Sequence, residues 1–424
     1  METLRNVSYN TLEKFATALF KFINVAIIAR YLGAEGQGTF SYFITVWGSV
    51  YVFGSLGTQL ASNYHAARAK PEQLAGLFGT MLVVLAFLPI LGSIGVLVVD
   101  QFTPILASIS NFQVLLFTGI FIHFFTVGLT GLLYGLSKYR EIFWGAVIQH
   151  GGMFAVLIAL VVTDEFTLAG AVWAWAGCQA LAGLYYLFHT LRSISFRLAL
   201  SRQSLGGLAE YGLKSYPFLA LTNLNSRLTH YFIAPFLGLE ALGIYALALN
   251  FSEAVQHIPK AFSRVLLTDV AGTGKTSEGT YQNLSGLTLI SILMAAIFAP
   301  IFIYLVFPPE FMASIPLVYI LLPSSYFVGV GQNFSYVFLG KGNRQSPAKA
   351  VFLSLIATTI GCAVLIPWLG ITGAALVTSL AGFYFFMLQY RPLASIEPIS
   401  LNPSLSWVKS ILRGAMNRLN RQAS

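Results

Sequence analysis

Long apolar segments, separated by short charged connections, occupy almost the whole of this 424-residue chain. Charged residues make up 9% of the sequence, whereas a typical soluble domain has about a quarter. A helix needs about 20 mostly apolar residues to cross a bilayer, so lipid is the natural solvent for these segments. The pattern predicts an all-α integral membrane protein whose first segment is retained as a spanning helix and is not cleaved as a signal peptide.

Twelve apolar segments predict twelve transmembrane helices. Their approximate bounds are 10–32, 38–62, 74–99, 111–136, 142–162, 167–190, 207–237, 242–268, 283–307, 313–339, 348–368 and 371–390. The connections alternate between a basic set (Arg68, Lys70, Lys138, Arg140, Arg192, Arg197, Arg202, Lys275, Lys341, Arg344, Lys349) and an acidic set (Glu35, Asp100, Asp164, Glu165, Glu240, Glu310). Short basic loops stay in the cytoplasm, so both termini are predicted to be cytoplasmic. The net charge of +9 follows from these loops and gives no indication of nucleic acid binding.

One motif occurs twice, as ARYLGAEGQGTF from Ala29 and as APFLGLEALGIY from Ala234, at an offset of 205 residues. Six predicted helices separate the copies, so both have the same orientation in the membrane. The repeat predicts two six-helix bundles, 1–203 and 204–391, related by an axis along the membrane normal. The tail, 392–424, is predicted to form a basic amphipathic helix on the inner leaflet; a partly disordered tail is the alternative.

Two lysines lie inside the first predicted helix. A charge at the bilayer centre costs at least ~2.5 kcal/mol, so such groups usually face water or a partner. Lys14 and Lys21 are seven residues apart and therefore share one face. Lys14 has a second interpretation, in which its side chain extends to the inner interface.

The seventh predicted helix carries a polar stripe. Asn223, Arg227 and His230 follow one another in steps of four and three residues. The repeat offset places Lys21 beside Arg227 in the alignment of the two halves. Two cations at matching depths are expected to surround an anion on the axis between the halves.

The first motif, with GTQLASNYHAAR at the end of the second helix and LLYGLSKYREIF after the fourth, resembles the Wzx-type polysaccharide flippases of the MOP superfamily. The resemblance covers 1–391. It implies a two-lobed bundle in the bacterial cytoplasmic (inner) membrane, with a cavity formed largely by the first, second, seventh and eighth helices. It also implies transfer of an undecaprenyl-diphosphate-linked oligosaccharide to the outer leaflet for surface polysaccharide such as O-antigen, with polysaccharide polymerase and chain-length proteins as partners.

A lipid diphosphate supplies the anion that the paired cations require. Arginine offers a planar fork of donors to phosphate oxygens, and lysine offers a compact point charge. The hypothesis is that Lys21 and Arg227 bind the diphosphate, with Lys14, Asn223 and His230 in support.

Glu253 on the eighth helix is a candidate for ion coupling, because transporters use buried carboxylates as relays. Its alternatives are an ion pair with His257 or with Arg227. His123 and His150 are expected to pack in the membrane interior, with proton relay as the alternative. No cofactor is predicted beyond coupling to a proton or sodium gradient.

Two other functions compete with flipping. The first is a cation-coupled exporter of the multidrug and toxin extrusion type, whose usual organic cations would be repelled by Lys21 and Arg227. The second is a membrane glycosyltransferase, polymerase or ligase, which usually needs a sizeable external loop that this chain lacks in its predicted topology.

The stretch VLLTDVAGTGKTSEG, from Val265, looks like a strand that leads into a phosphate loop. A Walker motif needs a first glycine where this chain has Asp269, although GTGKT at 272–276 supplies its end. Roughly fifteen residues between two helices also cannot hold a nucleotide-binding domain. The protein is therefore predicted to be a transporter and not a P-loop ATPase.

Overall fold

A computed structural model of the chain describes residues 2–101, 113–194, 201–273, 276, 279–343 and 345–403. All regular elements in these residues are helices, which confirms the predicted all-α class. The α-helices are α1 (Glu2–Gly54), α2 (Thr58–Ala66), α3 (Pro71–Asp100), α4 (Gln113–Gly135), α5 (Tyr139–Ala146), α6 (Gly152–Val162), α7 (Leu168–Ser193), α8 (Arg202–Leu237), α9 (Leu239–Thr273), α10 (Thr280–Val306), α11 (Ser314–Gly340) and α12 (Gln345–Ala394). A π-helical turn (Val147–Gly151) joins α5 to α6, and a 3-10 turn (Pro309–Ala313) precedes α11.

Seven helical stretches in the described residues are long and apolar enough to cross a membrane. They are Leu12–Gly54, Pro71–Val98, Gln113–Gly135, Tyr139–Val162, Thr280–Val306, Pro309–Gly340 and Gln345–Ala394. The chain is thus a multi-pass membrane protein. The helices α7, α8 and α9 cover the predicted sixth, seventh and eighth segments but do not belong to this set. Twelve crossings and cytoplasmic termini stay predictions.

Glycine residues divide the longest helices where the sequence predicts boundaries. Gly33 (φ 68°) kinks α1 between the first and second predicted segments, and Gly370 (φ 59°) kinks α12 between the eleventh and twelfth. Gly238 (φ 88°) separates α8 from α9. Gly33 and Gly238 are equivalent positions of the repeated motif. Both copies therefore use a glycine for a backbone turn that other residues rarely adopt.

The helices form two compact units. The first contains Met1–His230 and Leu237–Gly243, and the second contains Tyr231–Phe236 and the described residues from Ile244 onward. The predicted division at residue 203, in contrast, follows the repeat and stays a prediction. The predicted amphipathic helix of the tail lies mostly outside the described residues, which end at 403.

The beginning of α8 packs within the first unit. Tyr211 stacks on Tyr64 of α2 with ring centroids 4.1 Å apart, and the Tyr216 hydroxyl donates to the carbonyl of Phe53 at 3.0 Å. Leu208 belongs to the buried core of this unit. These contacts hold the first turns of α8 against α1 and α2.

Candidate functional site

Lys14 lies close to the end of α4. Its Nζ is 2.9 Å from a carboxylate oxygen of Glu13, and it donates to the hydroxyl of Tyr134 at 3.5 Å. Tyr134 is in the last turn of α4, shortly before the basic connection that contains Lys138. Lys14 therefore pairs with Glu13 and lies near the end of α4, next to a basic connection.

Lys21 lies two turns further along α1, with an exposed side chain. It is close enough to His123 of α4 and His150 of the π-helical turn to act on both electrostatically. One turn later, Asn24 donates from Nδ2 to the carbonyl oxygen of His150 at 3.1 Å. Three helical segments therefore converge near Lys21.

The π-helical turn, Val147–Gly151, places Gln149 and His150 in this region. A π turn adds a residue to the helical frame and often marks a functional position. The Asn24 amide satisfies one carbonyl of the turn, while its own Oδ1 is buried without a hydrogen-bond partner among the described residues. The apolar pattern of the fifth segment gives no sign of the extra residue, so sequence reasoning missed this turn.

A chain of side-chain amides links the π-helical turn to α4. Gln149 donates from Nε2 to Oε1 of Gln179 at 3.3 Å, and the Gln179 Nε2 is hydrogen-bonded to Nδ1 of His123. Thr126 donates to the backbone carbonyl of Gln179 at 3.1 Å. Gln179 is completely buried on α7. The sequence does not indicate a role for it, because its side chain is neutral.

Aromatic rings surround His123. Tyr51 meets its ring edge to face at 5.0 Å, and Trp175 stacks on it at 6.0 Å. Trp175 also stacks on Trp47 at 4.1 Å. These contacts agree with the expected packing role of His123, within a polar and aromatic interior that has Lys21 at its edge.

The polar stripe of the seventh predicted segment is helical in α8. Asn223 and Arg227 are partly buried, and His230 is buried with 2% of its surface exposed. All three belong to the first unit, as do Lys14 and Lys21. The structure thus brings Lys14 to Glu13 and Lys21 to the region of the two histidines, and Arg227 lies on α8 one turn from Asn223 and from His230.

Glu253 belongs to the second unit, on α9, and is partly buried. Its neighbour Ser252 lies 2.7 Å from the hydroxyl of Ser325 and 3.4 Å from that of Ser324 on α11. Glu253 therefore follows, along α9, a residue that packs against the serine hydroxyls of α11.

The GTGKT stretch begins in the last turn of α9, which ends at Thr273, so a helix and not a strand leads into it. The hydroxyl of Thr276 donates to Oε1 of Glu397 at 2.9 Å and contacts the hydroxyl of Tyr281 at 3.0 Å. Thr276 therefore joins the connection after α9 to the chain beyond α12.

A family model described as "Polysaccharide biosynthesis protein" matches residues 3–267, more than half of the chain. The chain belongs to this family. No curated protein sequence matches this chain.

Several solved structures have a fold similar to that of this chain. The lipid II flippase MurJ, in an inward closed conformation, has a TM-score of 0.73 and 14% identity over 91% of this chain and 87% of that chain. An inward-facing multidrug resistance MATE transporter of the MOP superfamily has a TM-score of 0.68 and 16% identity over 91% and 96%. A eukaryotic MATE transporter has a TM-score of 0.59 and 14% identity over 95% and 98%. The predicted resemblance to the MOP superfamily is confirmed.

Proposed function

We propose that this protein is a flippase for an undecaprenyl-diphosphate-linked glycan, which it moves from the cytoplasmic to the outer leaflet by alternating access. The family match is the observation that carries the proposal. The proposed location is the bacterial inner membrane, with polysaccharide polymerase and chain-length proteins as partners.

The diphosphate is the part of such a substrate that is most costly to move across the membrane without a protein. Moving an ion out of water costs several kcal/mol, so each phosphate needs charge-assisted hydrogen bonds within the membrane. In this proposal, Lys21 and Arg227 bind the phosphates, with Lys14, Asn223 and His230 in support. The hydrogen bond from Asn24 to His150 joins α1 to the π-helical turn one turn beyond Lys21.

Export of small cations is the second candidate function, because MATE transporters share the fold. The two functions require opposite charges in the substrate path. Lys21 and Arg227 favour an anionic substrate over a cationic one. A preference of the purified protein for a cationic dye over an anionic lipid would select the exporter instead.

The energy source in this proposal is an ion gradient and not ATP. Glu253 is the proposed coupling carboxylate, since it is a partly buried acidic residue within α9. Thr276 of GTGKT is hydrogen-bonded to Glu397, which supports a connecting role for that stretch.

Complementation of a flippase-null strain tests the proposal. Hydrogen bonds to charged groups contribute about 1.5–3 kcal/mol each, so Lys21→Ala and Arg227→Ala should each lower surface glycan by roughly ten- to a hundredfold. Lys214→Ala is the matched control, because Lys214 lies on α8 and pairs with Glu210 at 2.7 Å. Wild-type glycan in both test variants would refute the cation site, and failure of the unmodified protein to restore glycan would refute the function.

A further inference from the structure

The chain turns back into the second unit after α12 ends at Ala394. Residues 397–401, here called the docking segment, have no regular secondary structure. Ile399 and Leu401 pack against the buried apolar core of this unit, whereas Pro398 is exposed. The docking segment therefore has one face that contacts the helices and one face that does not.

The carboxylate of Glu397 joins the docking segment to three other parts of the second unit. Lys341, directly after α11, places its Nζ 3.0 Å from Oε2. Thr276, in the connection between α9 and α10, donates to Oε1 at 2.9 Å, and Tyr281 in the first turn of α10 donates to the same oxygen. Only 12% of the Glu397 side chain is exposed, so these donors replace the water that a carboxylate otherwise needs.

The start of α10 binds the other end of the docking segment. Gln282 donates from Nε2 to the hydroxyl of Ser400 at 3.0 Å. Ser285, which is completely buried, donates to the backbone carbonyl of Leu401 at 2.9 Å. The Ser285 hydroxyl also lies 2.9 Å from that of Tyr326 on α11. These side chains form a built site for a short peptide with an acidic residue ahead of Ile-Ser-Leu.

The docking segment can leave this site without unfolding a helix. Short irregular segments that are held by a few side-chain contacts open locally at much lower free energy than packed helices do. On release, the charges of Glu397 and Lys341 would both regain water. A docked form and a less populated released form therefore exchange with each other, as is common in proteins.

Docking also restrains α9. This helix carries Glu253, the proposed coupling residue, and ends at Thr273, three residues before Thr276. A shift of α9 during transport must therefore strain or break the hydrogen bond between Thr276 and Glu397. The same carboxylate holds α10 and the end of α11, so the movement of α9 against either of them is opposed while the segment is docked.

We propose that the docking segment is an autoinhibitory element: it occupies its site in the second unit reversibly, and only the released form completes the transport cycle. The inference rests on the proposed transport function but not on the identity of the cargo. It assigns Gln282 and Ser285 the role of binding the protein's own chain.

The first test compares hydrogen–deuterium exchange at residues 396–401 with glycan translocation by the full chain in liposomes. Glu397→Gln removes the charge and Leu401→Ala removes an apolar contact. Glu310→Gln is the matched control, because Glu310 is an exposed carboxylate between α10 and α11. Hydrogen bonds to charged groups change equilibria by roughly ten- to a hundredfold. Exchange and translocation should therefore both become about tenfold faster in the test variants and stay unchanged in the control.

The second test locks the docked form. Gln282→Cys and Ser400→Cys replace a hydrogen-bonded pair, in a chain whose buried Cys178 and Cys362 are replaced by serine. A short, cleavable reagent that bridges two thiols should abolish translocation, and its cleavage should restore the rate. The same reagent on the Ser400→Cys chain alone should have no effect.

Faster exchange with unchanged or slower translocation in both test variants would overturn the inference, as would an unchanged rate in the bridged chain. If Glu397→Gln does not fold, the bridged chain decides, because it keeps Glu397. A lack of glycan movement in every chain, including the unmodified one, would contradict the proposed function. Exchange then decides the docking: equal rates in Glu397→Gln and Glu310→Gln would overturn it.

Discussion

The side chain of Asn24 donates a hydrogen bond of 3.1 Å to the backbone carbonyl of His150, and so joins α1 to the π-helical turn. Asn24→Ala would leave a buried carbonyl without this donor. We expect a loss of about 1–2 kcal/mol, seen as a lower melting temperature in detergent. Thr118→Ala is the control, because Thr118 is exposed and its hydroxyl donates to the carbonyl of Val114 in the same helix. Equal melting temperatures for the two variants would contradict the role given to Asn24.

Gly33 and Gly238 should respond alike to substitution, because the repeat gives both a positive φ. Alanine in such a conformation costs about 1–3 kcal/mol. We expect Gly33→Ala and Gly238→Ala to lower the melting temperature by similar amounts. Gly48→Ala, inside a helix with open space around it, should not lower it. An effect at one repeat position without the other would argue against equivalent turns.

The chain after α12 is tied back to the second unit by Glu397. Lys341 Nζ lies 3.0 Å from Oε2 of Glu397, while Thr276 and Tyr281 donate to Oε1. Burial opposes ionisation of Glu397, but the hydrogen bonds from Tyr281, Lys341 and Thr276 and the charge of Lys341 outweigh it and lower the pKa of the carboxyl group below its ordinary value of 4.5.

A carboxyl group with a lowered pKa stabilises the folded state above its ordinary pKa, and this contribution is lost as the pH falls through the lowered value. The melting temperature should therefore be insensitive to Glu397 between pH 7 and pH 5 and should fall below pH 4.5. Glu397→Gln should melt lower at pH 7 and lose less on acidification. Parallel pH profiles for the two proteins would contradict the account of Glu397.

If Glu253 couples transport to an ion gradient, its substitution should abolish gradient-driven transport and leave substrate exchange intact. Glu253→Gln cannot release a proton or bind a cation as a carboxylate does, so transport should stop responding to an imposed gradient while substrate exchange continues. Glu240→Gln, at the exposed start of the same helix, is the control. An unchanged gradient response in Glu253→Gln would remove Glu253 from the coupling hypothesis.

The sequence predicted the helical segments because long apolar runs have few alternatives in lipid. The predicted boundaries between the first and second segments and between the seventh and eighth segments fall at the turns of Gly33 and Gly238. The sequence did not indicate that the first two segments form one helix kinked at Gly33, because a glycine between apolar runs is equally compatible with a loop.

The sequence predicted fewer of the residues in the interior of the candidate site. Lys21 was identified by its charge, which is costly in a membrane. Gln179 and Asn24 are neutral, and their importance comes from partners on other helices that no local pattern reveals. The π-helical turn at Gln149 and His150 changes the helical frame by one residue, too little to disturb the apolar pattern.

The most direct test of the central claim is translocation of an undecaprenyl-diphosphate-linked glycan by the purified protein in liposomes. The account predicts that the glycan reaches the opposite leaflet at a rate that falls in Lys21→Ala and in Arg227→Ala but not in Lys214→Ala. Liposomes in which the protein moves a cationic dye and leaves the diphosphate-linked glycan in its original leaflet would contradict the account.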